Sequence, residues 1–157
     1  AVEVSLPPYL ARVFAVTEPV SMTDAQFSLP YAAAMIFKGV APSPEWYRQE
    51  YLASAEVREL SLKIRLIADK EVERRRAEES VLSPGVRIRT KDGRTFERQE
   101  YCAKGHPKKP FSRKDFEEKF RSNATCTIGA DRAKTILKGF DRLEEYENIS
   151  EMTRLFG

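Results

Sequence analysis

Apolar and polar residues alternate from the second position of the chain. Val2, Val4 and Leu6 fall on one side of an extended segment, Glu3 and Ser5 on the other. This predicts a strand over residues 2–6, stopped by Pro7-Pro8. The period of two returns at Leu62, Ile64, Leu66 and Ala68, with Lys63, Arg65 and Asp69 opposite, a second half-buried strand. Residues 86–101 (VRIRTKDGRTFERQEY) set two extended runs around Asp92-Gly93, a pair that readily adopts positive φ, and predict a tight hairpin. Residues 29–38 are apolar almost all round and predict a short buried helix, with Ser28 as N-cap, Pro30 in the first turn and Gly39 as the stop. Ser54 opens another short helix over 54–60. Residues 9–22 show no period and read as irregular, and 42–54 as a loop with one helical turn. The charge run 70–80 (KEVERRRAEES) reads as a solvated strand end and loop. In the C-terminal third, Ser112 and Asp115 have capping-box spacing, and Phe111 and Phe116 stand at the two staple positions. Ala133, Ile136, Leu137, Phe140, Leu143 and Tyr146 mark one face of a helix near 130–146. Ser150 reads as the cap of a last turn ending at Phe156. The order β-α-α-β-β-β-α-α predicts an α+β fold: a two-layer sandwich with a small, mainly antiparallel sheet and helices on one face.

Composition narrows the function classes. The 157 residues suit a single domain over 1–157, and 41% hydrophobic content can supply its core. The 27 basic and 24 acidic side chains are interspersed, so the net charge of +3 does not make a nucleic-acid-binding tail. The lone histidine, His106, and two cysteines without ligand spacing, Cys102 and Cys126, argue against a metal site and for a reducing, cytoplasmic compartment. The longest apolar runs fall short of a membrane span. Because the chain opens on Ala1 and enters a strand at once, it reads as part of a longer polypeptide.

Two segments carry candidate chemistry. In TDAQFSLPYAAAMIFKG (23–39) the polar residues Gln26, Ser28 and Tyr31 stand at the start of a dry helix. A helix start holds unpaired N–H groups and partial positive charge, and suits a carboxylate. The same residues also fit a purely structural reading, with Ser28 as cap and the Tyr31 hydroxyl on a backbone partner. In KGHPKKP (104–110), a glycine, two prolines and three lysines make a stiff basic loop able to close over an anion. His106 there is either solvated or an acid–base group beside a substrate. Eight aromatics between residues 9 and 51 exceed what a small sheet needs and predict an apolar surface patch.

AQFSLPYAAA (25–34), the Asp-Gly-Arg hairpin, KGHPKKPFS (104–112) and KFR (119–121) together resemble the MmgE/PrpD family, in the family's C-terminal portion. The family includes 2-methylcitrate dehydratases, cis-aconitate decarboxylases and iminodisuccinate epimerases. The resemblance implies a lid domain that faces an N-terminal all-helical domain, absent here, across the active-site cleft, in a homodimeric enzyme. It implies a small carboxylic-acid substrate and no cofactor. Tyr31 then becomes the catalytic candidate, with Gln26, Ser28, Lys104 and His106 as substrate-binding candidates and no metal ligands. The first expectation is a 2-methylcitrate dehydratase-like lyase. The alternatives are a decarboxylase or epimerase of a related acid, or a non-catalytic binding or interaction module. The residues here are expected to be inactive by themselves.

Overall fold

The computed structural model describes residues Ala1–Phe156. Strands β1 (Val2–Leu6), β2 (Ile64–Ala68), β3 (Gly85–Arg89) and β4 (Thr95–Gln99) form one sheet in the order β2-β1-β3-β4. β1 is parallel to β2, with Val4 opposite Leu66, and antiparallel to β3, with Val4 opposite Val86; β3 and β4 are antiparallel. The α+β class with a mainly antiparallel sheet is therefore the observed one. This register puts Val2, Val4, Ile64, Leu66, Val86 and Ile88 on one face, and Glu3, Arg65, Arg87 and Glu97 on the other. On the charged face Arg87 reaches Glu97 at 2.6 Å and Glu3 at 3.4 Å, so one guanidinium ties three strands together.

The chain forms two compact units, residues 1–109 and 110–157. The first contains the sheet and helices α1 (Pro8–Val13), α2 (Met22–Gln26), α3 (Leu29–Phe37), α4 (Gln49–Leu52), α5 (Ala55–Ser61) and α6 (Lys70–Glu79). Its core joins Ala25, Tyr31, Ala34, Met35, Trp46, Val57 and Ile64, with Val2 and Val4 packed against it. The apolar side of β1 and β2 is thus closed by α3 and α5, which is why the segment 31–37 is so dry.

Several expectations change. Residues 9–22 are not wholly irregular: α1 starts on Pro8, which suits a first turn, and α2 opens on a Ser21–Asp24 capping box. Both are under two turns, too short to display a helical period. The charge run 70–80 is helix α6. Asp69 caps it, accepting from the Glu71 amide at 2.8 Å. Arg74 then pairs with Glu71 and Glu78, and Arg75 with Glu71, all one turn apart. Those guanidinium groups hold the Glu71 carboxyl down to about 2. Only Val72 of this helix is buried, so no apolar stripe announces it. In the hairpin, positive φ falls on Gly93 alone of the Asp92-Gly93 pair. The Gly93 amide bonds the Thr90 carbonyl and the Thr90 amide the Arg94 carbonyl, so residues 90–94 form a longer loop in place of a two-residue turn.

The second unit holds α7 (Arg113–Ile128), α8 (Ala130–Asp141) and α9 (Ile149–Thr153). The Ser112–Asp115 capping box forms, and the Phe111 and Phe116 rings meet edge-on with centroids 5.2 Å apart. Ala133 and Ile136 are buried, but α8 stops at Asp141 and a 3-10 turn over Leu143–Glu145 follows, so the expected helix to 146 is shorter. Asn148 caps the last helix in place of Ser150, whose amide it accepts at 2.9 Å. Among the described residues no helix is long and apolar enough to cross a membrane.

Candidate functional site

The start of α3 is built from its own sequence outward. Ser28 is in extended conformation and its hydroxyl accepts the Tyr31 amide at 3.0 Å. The same hydroxyl donates to the Val16 carbonyl, and Ser28 is buried. The Leu29 amide bonds the Phe14 carbonyl at 3.1 Å, Pro30 has no N–H, and the Ala32 amide bonds the Ser28 carbonyl at 3.1 Å. Every first-turn donor is therefore engaged within the chain. The helix end that the sequence offered to a carboxylate is occupied by the preceding loop. Gln26, at the end of α2, is exposed. Ser28→Ala is expected to lower stability by about 1–2 kcal/mol in a denaturation experiment, because it removes the cap and leaves the Val16 carbonyl without its donor.

Tyr31 points inward. It is 1% exposed, and its hydroxyl donates to the Trp46 backbone carbonyl. Trp46 itself is buried and its indole N–H donates to the Val40 carbonyl at 3.2 Å. One chain of bonds thus fastens the Val40–Trp46 loop over α3. Burial pushes the Tyr31 phenol up to about 12, with the nearby Tyr47 and Tyr51 phenols adding to the rise. The group stays protonated and hydrogen-bonded at neutral pH.

The basic loop is ordered by its own backbone. The Gly105 amide bonds the Lys109 carbonyl at 2.8 Å and the Lys109 amide bonds the His106 carbonyl at 2.7 Å. Gly105 has φ +96, a left-handed conformation that its lack of a Cβ permits. His106 Nδ1 accepts the Lys108 amide at 3.1 Å, so the neutral ring carries its proton on Nε2. Lys108 donates to the Glu79 carbonyl at the end of α6, and Lys109 pairs with Glu100 at 2.7 Å. Lys104 is exposed and His106 half-buried.

The five candidates do not converge on one pocket. Tyr31 lines a cavity of about 250 Å³ in which Gln26, Ser28, Lys104 and His106 take no part. Its other walls are the Thr17–Val20 loop and residues of α4 and α5, among them Arg58 and Ser61, which sequence reading passed over. One signal was available: Ser61 follows Val57 by one helical turn, a polar residue on the apolar face of α5. No group of three or more possible metal ligands occurs among the described residues. Of the eight aromatics between 9 and 51, Tyr31 and Trp46 are buried, while Tyr9, Phe27 and Phe37 are 60%, 53% and 49% exposed.

The profile of the MmgE/PrpD C-terminal domain matches residues 1–145. The human (Homo sapiens) cis-aconitate decarboxylase is 32% identical over 148 residues, covering 94% of this chain and 29% of that protein. The mouse (Mus musculus) cis-aconitate decarboxylase is 30% identical over the same span. The chain spans less than a third of the length of these curated relatives. The chain belongs to the MmgE/PrpD family.

Proposed function

We propose that this MmgE/PrpD chain is a domain of a lyase acting on a small tricarboxylic acid, and that the reaction is decarboxylation of cis-aconitate. The observation that carries the reading is identity of 32% and 30% to two cis-aconitate decarboxylases across 94% of the chain. In such a reaction a carbon–carboxylate bond breaks and carbon dioxide leaves. The electron pair shifts into the adjoining unsaturated carboxylate, and a proton is taken up on carbon. The developing negative charge needs hydrogen-bond donors held in place. On this chain Gln26 and Lys104 are exposed and His106 half-buried, and we assign these three donors to substrate carboxylates. Tyr31 and Ser28 act one step back, by fixing α3. The missing partner in this reading is an N-terminal helical domain, with a homodimeric, cytoplasmic assembly and no cofactor. The exposure of Tyr9, Phe27 and Phe37 supports a further domain covering them.

Dehydration of 2-methylcitrate is the second reading; the motifs at 25–34, 104–112 and 119–121 are shared by the family and fit it as well as they fit decarboxylation. Proton NMR on the full-length gene product separates the two. The expected result is loss of cis-aconitate signals and growth of a five-carbon unsaturated dicarboxylate, with 2-methylcitrate unchanged. Turnover of 2-methylcitrate alone would establish the second reading, and inertness toward both, with citrate and iminodisuccinate also untouched, would leave a binding module.

A further inference from the structure

Strand β4 ends the sheet on one side, and no strand pairs with its outer edge among the described residues. The bonds it shares with β3 fix which of its backbone groups are left over. The Thr90 amide bonds the Arg94 carbonyl and the Glu100 amide the Pro84 carbonyl, and along an antiparallel pair the bonded residues alternate. Residues 94, 96, 98 and 100 therefore turn their backbone groups toward β3, and Thr95, Glu97 and Gln99 turn theirs outward. The strand has no proline, pairs residue for residue with β3 without a bulge, and is exposed from Thr95 to Arg98. The apolar face of the sheet is also uncovered here. The cluster under α3 and α5 takes in Val2, Val4 and Ile64 but not Val86, Ile88 or Phe96. Val86 and Ile88 are half-buried and Phe96 is 52% exposed, and the three line a hollow of about 300 Å³ on this face.

We propose that the outer edge of β4 is an interface for a second copy of this chain, docked by antiparallel pairing of the two β4 strands with Glu97 on the two-fold axis. Such a contact is self-complementary and closes on itself. The two-fold axis must pass through a residue if each face of the sheet is to continue as the same face, so Phe96, Glu97 and Arg98 are the possible centres. Centred on Phe96, Arg94 meets Arg98 of the second copy twice. Centred on Arg98, that guanidinium meets its own copy. Like charges directly opposite are destabilising. Centred on Glu97, Arg94 lies opposite Glu100, Phe96 opposite Arg98 and Thr95 opposite Gln99, each twice, and all five strand residues pair. The charges of β4 thus select one register in place of guarding the edge. The single like-charge contact, Glu97 with its copy, is offset on each side by Arg87 at 2.6 Å. The Phe96 ring already has the Arg94 guanidinium 5.7 Å from its centroid, so an arginine suits its surroundings. Two four-stranded sheets become one of eight strands, and the exposed apolar face runs across the junction. None of these residues is a donor assigned to the lyase substrate, so the interface stands whether or not that reading does.

The test is sedimentation velocity of the 157-residue chain over a concentration series, which should show a monomer–dimer equilibrium. Two substitutions at one position should move it in opposite directions. Glu97→Gln removes the like-charge contact and should tighten the dimer by up to about fivefold, the range of an exposed charge pair. Glu97→Pro removes an outward N–H while leaving the bonds to β3 in place, the one setting in which an edge strand tolerates proline, and should abolish the dimer. Circular dichroism melts of both variants verify that the sheet is still folded. Register is read by oxidation in a chain carrying Cys102→Ser and Cys126→Ser. Glu97→Cys should give a disulfide-linked dimer, because directly opposite residues stand within disulfide reach, and Thr95→Cys, which faces residue 99, should not. A chain that is monomeric at every concentration, or a dimer that a folded Glu97→Pro variant retains, would overturn the interface. Linkage through Thr95→Cys in preference to Glu97→Cys would overturn the register.

Discussion

Met35→Ala is expected to unfold the first unit at markedly lower temperature than the parent. Met35 is 0% exposed and sits on α3 within the cluster that includes Tyr31, Val57 and Ile64. Truncating a buried methionine removes transfer free energy and leaves a cavity, together about 2–5 kcal/mol. The neighbours cannot collapse easily into the space. Tyr31 is held by Trp46, and Ile64 is fixed by its strand register opposite Val2. For a unit of this size each kcal/mol shifts the midpoint by about 4–8 °C, so a drop on the order of 10–20 °C should appear in a circular dichroism melt. Ile36→Ala is the matched control. It is the next residue of the same helix, 61% exposed, and should change stability by less than about 0.5 kcal/mol. Equal effects of the two substitutions would refute the orientation of α3.

That contrast also shows where the sequence was readable. A segment apolar all round tells that a helix is buried but not which side faces the sheet, so Met35 and Ile36 could not be told apart. Strands were legible because the alternating apolar positions Val2, Val4 and Ile64 are the ones that pack into the core. α6 was not, since its helix rests on Asp69 and on arginine–glutamate pairs rather than on an apolar stripe. The start of α3 was legible as a capped helix end but not as a filled one. What fills it comes from Phe14 and Val16, a dozen or more residues earlier, and no local pattern reports so distant a carbonyl. The family was legible in four short motifs together. Their residues, however, include exposed Gln26 and Lys104 as well as buried Ser28 and Tyr31, and only coordinates separate the two. Arg58 and Glu18 pair across 40 residues of chain, beyond the reach of any motif.

Tyr31→Phe separates the brace from the catalyst. The substitution keeps the buried ring and removes only the hydroxyl, so the Trp46 carbonyl loses its donor inside the core. A buried acceptor left without its partner costs about 1–3 kcal/mol. The melting temperature should fall by several degrees at neutral pH, and any turnover of cis-aconitate by the full-length gene product, as proposed above, should be largely kept. The alkaline limb gives a second, independent signature. The phenol has an ordinary value of 10.0 and is raised to about 12 in the folded chain. A group with a raised folded value binds its proton more tightly in the native state. Its contribution is therefore complete below pH 10, declines as pH rises from about 10 to about 12, and is gone above that. Other tyrosines titrate in the same range, so the informative quantity is the difference between parent and variant. That difference should be constant up to about pH 9.5 and shrink toward pH 12 in a urea-denaturation series. A constant difference through pH 12 would mean that the hydroxyl is not buried against Trp46. A variant with unchanged melting temperature and a kcat lowered by roughly 10²-fold would instead assign the hydroxyl to proton transfer at the reacting carbon.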